Sequence, residues 1–103
     1  MPSPFDAVAD PSRRRLLDLL LAAPRSVGEL RAETGLTQPA TSQHLRALRE
    51  AGLVSARIDG RRRIYELRLE GVDELARWLT PYVLRIQREL EAGDGAKRGP
   101  QRP

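Results

Sequence analysis

The stretch from Ser26 to Gly52 constrains this chain most, because it carries two sets of helix start and stop signals a few residues apart. Ser26 with Glu29 three positions on forms a capping box, in which two side chains satisfy backbone N–H groups that a helix start leaves free. It opens a short helix through Val27 and Leu30, predicted to end at Thr34 and Gly35. Thr37 caps a second, longer helix with Pro39 in its first turn, where no N–H is needed. Inward positions Thr41, Leu45, Leu48 and Ala51 then recur at helical spacing until the stop at Gly52. Two helices joined by a tight glycine-containing turn make a helix-turn-helix.

The flanks extend this unit. Asp10 is a good N-cap, Pro11 suits a first helical position, and Leu16, Leu17, Leu20 and Leu21 mark a core helix that stops at Pro24. Phe5, Val8 and Ala9 precede it in a segment too short to bury its own apolar side, so they need a partner surface. Past Gly52, Val54, Ala56 and Ile58 alternate with polar residues, Asp59-Gly60 marks a tight turn, and Arg62 to Leu69 returns as a second strand. Loops of two or four residues both fit this hairpin. After Gly71, Val72, Leu75, Leu79, Tyr82, Val83, Ile86 and Leu90 form a near-heptad stripe, with Pro81 inside it expected to bend the helix. The fold class that follows is mainly α with a two-stranded β-hairpin, a winged helix-turn-helix. Residues 1–92 are expected to form one domain, read below as binding DNA and dimerising, and residues 93–103, with nothing to bury, are expected to form a disordered tail.

Charge is concentrated on part of this frame. Between Thr37 and Arg68 lie seven arginines against three acids, while the rest of the chain balances at eleven basic and eleven acidic residues, so one segment carries the whole net charge of +4. A neutral body with one basic segment suits a polyanion partner. The absence of cysteine excludes disulfides, thiolate metal sites and thiol nucleophiles. A lone histidine, His44, gives no support to a histidine metal site or a Ser-His-Asp arrangement. With no phosphate loop or nucleophile motif either, an enzyme is not expected, and no cofactor or metal is called for. The first residues lack the features of a secretory signal, and the longest apolar run, Leu19 to Ala23, is too short to span a bilayer, so a cytoplasmic protein without a membrane partner is expected.

With Thr41, Leu45 and Leu48 packed inward, the second helix presents Gln38, Pro39, Ser42, Gln43 and Arg46 on its open face. Those residue types suit a major groove: Gln pairs with adenine, Arg with guanine, Ser with several acceptors, and Pro39 touches a thymine methyl. His44, on the same helix, either meets backbone or phosphate or simply packs. Arg61, Arg62 and Arg63 at the hairpin tip repel one another, so they are expected to meet phosphate or a narrow minor groove. Arg13 to Arg15 pose a similar choice, between flanking phosphates and a solvated face.

Three stretches, Phe5 to Leu17, Leu36 to Val54 and Asp59 to Leu67, together resemble the ArsR family of bacterial winged-helix repressors, the likeness running from Phe5 to about Tyr82. The resemblance implies a homodimer pairing through its first and last helices, for which Phe5, Val8, Leu75, Leu79, Tyr82 and Ile86 are the candidate interface, and repression of transcription on duplex DNA. Many members sense metals through cysteines on the helix that here reads Ser26-Val27-Gly28-Glu29-Leu30, or through histidine and carboxylates on the last helix, which here has no histidine. Neither site carries over, which implies the non-metal-sensing branch and leaves the inducer unspecified. Thr41 stands where similar proteins commonly have valine. Two other readings stay open: a winged-helix module that docks a protein through its last helix without binding DNA, and, with less support, an RNA binder using the basic hairpin.

Overall fold

The computed structural model describes residues 2–93. Eight elements follow in order: α1 (Pro4–Ala7), α2 (Pro11–Ala22), β1 (Arg25–Ser26), α3 (Val27–Thr34), α4 (Gln38–Glu50), β2 (Val54–Asp59), β3 (Arg62–Leu67) and α5 (Leu69–Gly93). The caps act where the sequence places them. Asp10 accepts hydrogen bonds from the Ser12 and Arg13 N–H groups, Ser26 and Glu29 close their capping box, and the Thr37 hydroxyl accepts from Ala40. At the far end of α4 the chain turns through Gly52 at φ 78°, a left-handed conformation that favours glycine. There the Gly52 N–H bonds the Arg49 carbonyl and the Leu53 N–H the Leu48 carbonyl, which closes the helix and drops Leu53 into the core.

The hairpin register resolves the choice left open by the sequence. Asp59 pairs with Arg62, so the loop is the two residues Gly60 and Arg61. The sheet has three strands, not two: β1 adds to the free edge of β3, with Arg25 opposite Tyr65 and Ser26 opposite Ile64. That short strand links the base of the hairpin directly to the start of α3. Beneath lies an aliphatic core of Leu16, Leu20, Leu30, Leu45, Leu48, Leu53 and Val54. Thr41, fully buried among them, donates its hydroxyl to the Thr37 carbonyl 2.8 Å away, so the polar group needs no outside partner.

Helix α5 is continuous through Pro81 and extends through Gly93, one residue past the expected boundary; the expected tail otherwise falls on residues 94–103, outside the described residues. Its first turns, through Val72 and Leu75, pack against the core, and Gly71 sits where a Cβ would strike the Gly52 carbonyl. No helix among the described residues is long and apolar enough to cross a membrane.

Arg14 and Arg15 are exposed and Arg13 is half-buried, in keeping with the solvated face, and all three also donate to backbone carbonyls. Arg13 donates to the Ala7 and Asp6 carbonyls, Arg14 to those of Val8 and Ala9, and Arg15 to those of Thr34 and Glu33. The row ties α1 to α2 and α2 to the end of α3, bonding carbonyls at and just past helix ends.

The caps also set a pH limit. Asp6, Asp10 and Glu29 are each held below their ordinary carboxylate values chiefly by a backbone N–H donor, from Ser3, Arg13 and Ser26 respectively. A group with a depressed folded pKa stabilises the fold above its unfolded pKa and loses that contribution as pH falls through the folded value. The melting temperature followed by circular dichroism is therefore expected to be level above the ordinary values of 3.8 and 4.5 and to fall below them. A melting temperature unchanged well below both values would show that these caps do not form in solution.

Candidate nucleic-acid interface

Helix α4 and the β2–β3 hairpin face each other across an open cleft of about 970 Å³. Gln38, Ser42, Arg46 and Arg49, spaced one helical turn apart, form one wall, and Arg61, Arg62, Arg63 and Tyr65 form the other. Ser26, Val27 and Gly28, at the start of α3, line it between the walls, so the cleft also meets a helix N-terminus with its partial positive charge. The structure thus brings Gln38, Ser42 and Arg46 together with all three tip arginines. Pro39 and Gln43 are exposed on α4 but do not line this cleft.

His44 differs from the other candidates on this helix. It is half-buried, and its Nδ1 is enclosed without a hydrogen-bond partner. Its ring therefore belongs to the packed side of α4, which favours the packing alternative.

The arginines are not equally available. Arg46 pairs with Glu50 one turn on at 3.1 Å, both side chains remaining largely in solvent. Arg62 reaches Glu29 at 3.1 Å, and the Arg63 guanidinium lies 5.7 Å from the centre of the Tyr65 ring, within cation–π range. Among the described residues Arg49 and Arg61 have no carboxylate within ion-pair reach. Arg49 and Tyr65 join the expected residues in the cleft lining; a cation one turn beyond Arg46 signals the first, and the second is the aromatic nearest the charged face in the sequence.

A sequence profile described as "Bacterial regulatory protein, arsR family" matches residues 10–56. A crystal structure titled "Possible transcriptional regulator for arsenical resistance" shares 36% identity and a TM-score of 0.74, covering 95% of this chain and 100% of that one. The chain belongs to the ArsR family. Among other ArsR-family likenesses, a solution structure from Mycobacterium bovis, described as a homodimeric winged helix-turn-helix DNA-binding domain, is 32% identical with a TM-score of 0.63 over 84% of this chain and 76% of its own. An HTH-type transcriptional regulator of Mycobacterium tuberculosis is 41% identical over 71 residues, 69% of this chain and 66% of that protein, so the chain spans just under two thirds of its length. The family is one of transcriptional regulators, and the fold is its winged helix-turn-helix.

This ArsR-family chain carries a second surface at its far end. Leu79, Tyr82 and Ile86 are exposed along α5, and Phe5 on α1 meets Trp78 edge-on at 5.9 Å, with the Tyr82 ring tilted against the indole at 5.0 Å. Val8 and Leu75, by contrast, are half-buried against the chain's own core. Trp78 was not among the interface candidates, because a count along the heptad passes from Leu75 to Leu79; the Phe5 ring picks it out. Among the described residues no group of three or more His, Cys, Asp or Glu side chains is placed to hold a metal.

Proposed function

We propose that this ArsR-family chain is a sequence-specific duplex-DNA regulator that acts as a homodimer and represses by occluding a promoter. The observation that carries the reading is the cleft between α4 and the hairpin, where five arginines, 46, 49, 61, 62 and 63, converge on a helix N-terminus. In this reading α4 enters the major groove, Gln38, Pro39, Ser42, Gln43 and Arg46 face base edges, and Arg61 and Arg63 reach the flanking backbone. A protein of this shape seated on a promoter excludes polymerase by volume alone, which needs no further activity.

The exposed stripe of Leu79, Tyr82 and Ile86, with Phe5 beside it, supports pairing of two copies, as does the homodimeric relative. Two-fold pairing sets the reading helices about one DNA turn, roughly 34–36 Å, apart on a near-palindromic site. With no cysteine and no histidine on α5, we assign the chain to the members without a metal sensor.

Fluorescence anisotropy against a duplex from the protein's own upstream region and a scrambled duplex, across a salt series, tests the reading. Preference for the native duplex with a steep salt slope supports it; weak, equal binding to both would favour a winged-helix module that docks a protein through α5. Gln43→Ala is expected to relax base preference by about 1–3 kcal/mol at one position of each half-site. Equal loss on specific and scrambled duplexes would remove Gln43 from the base readers.

A further inference from the structure

Of the three tip arginines, Arg62 alone has an ion-pair partner among the described residues. Its Nη2 lies 3.1 Å from Glu29 Oε1, across 33 positions of sequence, and the same oxygen accepts the Ser26 N–H at 2.8 Å. The capping box therefore fixes the carboxylate whether or not Arg62 is present. Holding Arg62 then costs only that side chain's freedom, whereas most surface pairs must order two flexible chains. Alternation along β3 explains the choice. Arg63 shares a face with Tyr65, while Arg62 shares the opposite face with Ile64, the residue paired with Ser26 at the start of α3.

We propose that Glu29 is a brake on DNA contact, holding Arg62 back from phosphate so that the protein engages duplex with one cation fewer than its basic hairpin offers. The proposal rests on the DNA-binding reading above. The Ser26 donor, assisted by Arg62, keeps Glu29 ionised well below neutral pH, so the brake is set under ordinary conditions. Because phosphates carry no sequence information, its release strengthens binding to every duplex alike. Glu29 is thus a positioning residue that acts through Arg62.

Glu29→Gln is the informative variant, since its side-chain oxygen still accepts the Ser26 N–H while the charge that retains Arg62 is gone. Anisotropy across a salt series is expected to show about threefold to tenfold tighter binding at low salt to native and scrambled duplexes alike, with the slope of log K against log salt steeper by about one. In the protein with Glu29 intact, Arg61→Ala is expected to flatten that slope by about one, and Arg62→Ala by less than half as much. Combining Glu29→Gln with Arg62→Ala should return both affinity and slope to those of Arg62→Ala alone.

A Glu29→Gln protein with native circular dichroism and no gain in affinity overturns the proposal. So does a gain that survives in the double variant, because the carboxylate would then act on DNA directly. Should Glu29→Gln fail to fold, the single variants still decide: equal flattening by Arg61→Ala and Arg62→Ala shows that Arg62 was never held back. Absence of binding by the unmodified protein to either duplex overturns the DNA reading itself, and is seen before any variant is made.

Discussion

Leu79→Asp is expected to convert the protein to single chains of 11.5 kDa and to abolish tight binding to a two-half-site duplex. Leu79 lies on the exposed stripe of α5 between Trp78 and Tyr82, with 47% of its surface in solvent in the isolated chain. In a two-fold dimer the substitution enters the interface twice, and each buried, unpaired carboxylate costs several kcal/mol. The dissociation constant of the dimer should rise by a factor of about a thousand or more. A monomer covers one half-site and forfeits the gain from a tethered second contact, so the loss on DNA should be comparably large. The fold should survive, because Leu79 is exposed and lies outside the buried core of its own chain. Light scattering reads the mass directly, and an unchanged dimer mass would place the interface elsewhere.

Gly71→Ala is expected to lower stability by about 2–3 kcal/mol, or roughly 10–20 °C in melting temperature. Helix propensity alone gives the opposite sign, since alanine is favoured over glycine inside a helix by about 1 kcal/mol. Packing decides. A Cβ at Gly71 would overlap the carbonyl oxygen of Gly52 and lie 3.3 Å from the Leu53 Cα, so it meets backbone that cannot swing aside. Gly52 is itself fixed by the close of α4, and the Arg68 N–H bonds the Leu53 carbonyl at 2.9 Å, so the two segments are held together beside the contact. Thermal unfolding by circular dichroism checks this; a melting temperature equal to or above that of the unmodified protein would mean that α5 stands further from the α4–β2 turn.

What could be read from the sequence was local. Caps at Asp10, Ser26 and Thr37 and the stop at Gly52 act within a few residues, so their residue types place α2, α3 and α4 without knowledge of the fold. The inward face of Thr41, Leu45 and Leu48 follows from helical spacing, and with it the exposure of Gln38, Gln43 and Arg46. Contacts between distant segments were not legible. Strand β1 has only two residues and exists because Ser26 reaches Ile64. The Arg62–Glu29 pair depends on which face of β3 turns toward α3, and the hairpin register that sets it was open between two loop lengths. For Arg13 to Arg15 the sequence shows three cations at a helix start, an unfavourable place by charge alone; the carbonyls that hold them come from α1, the following linker and the end of α3.

The division of α5 between two tasks bears on how such a regulator responds to its own abundance. Its first turns, at Val72 and Leu75, lean on the chain's core, whereas Leu79, Tyr82 and Ile86 beyond them stay exposed, open to a second copy in the proposed dimer. In the proposed homodimer, pairing through that outer half is second order in chain concentration, so when chains are scarce the number of assembled pairs falls as the square of their supply. A modest drop in synthesis, or dilution at cell division, is then amplified into a larger drop in promoter occupancy. Control would lift more abruptly than the protein itself disappears.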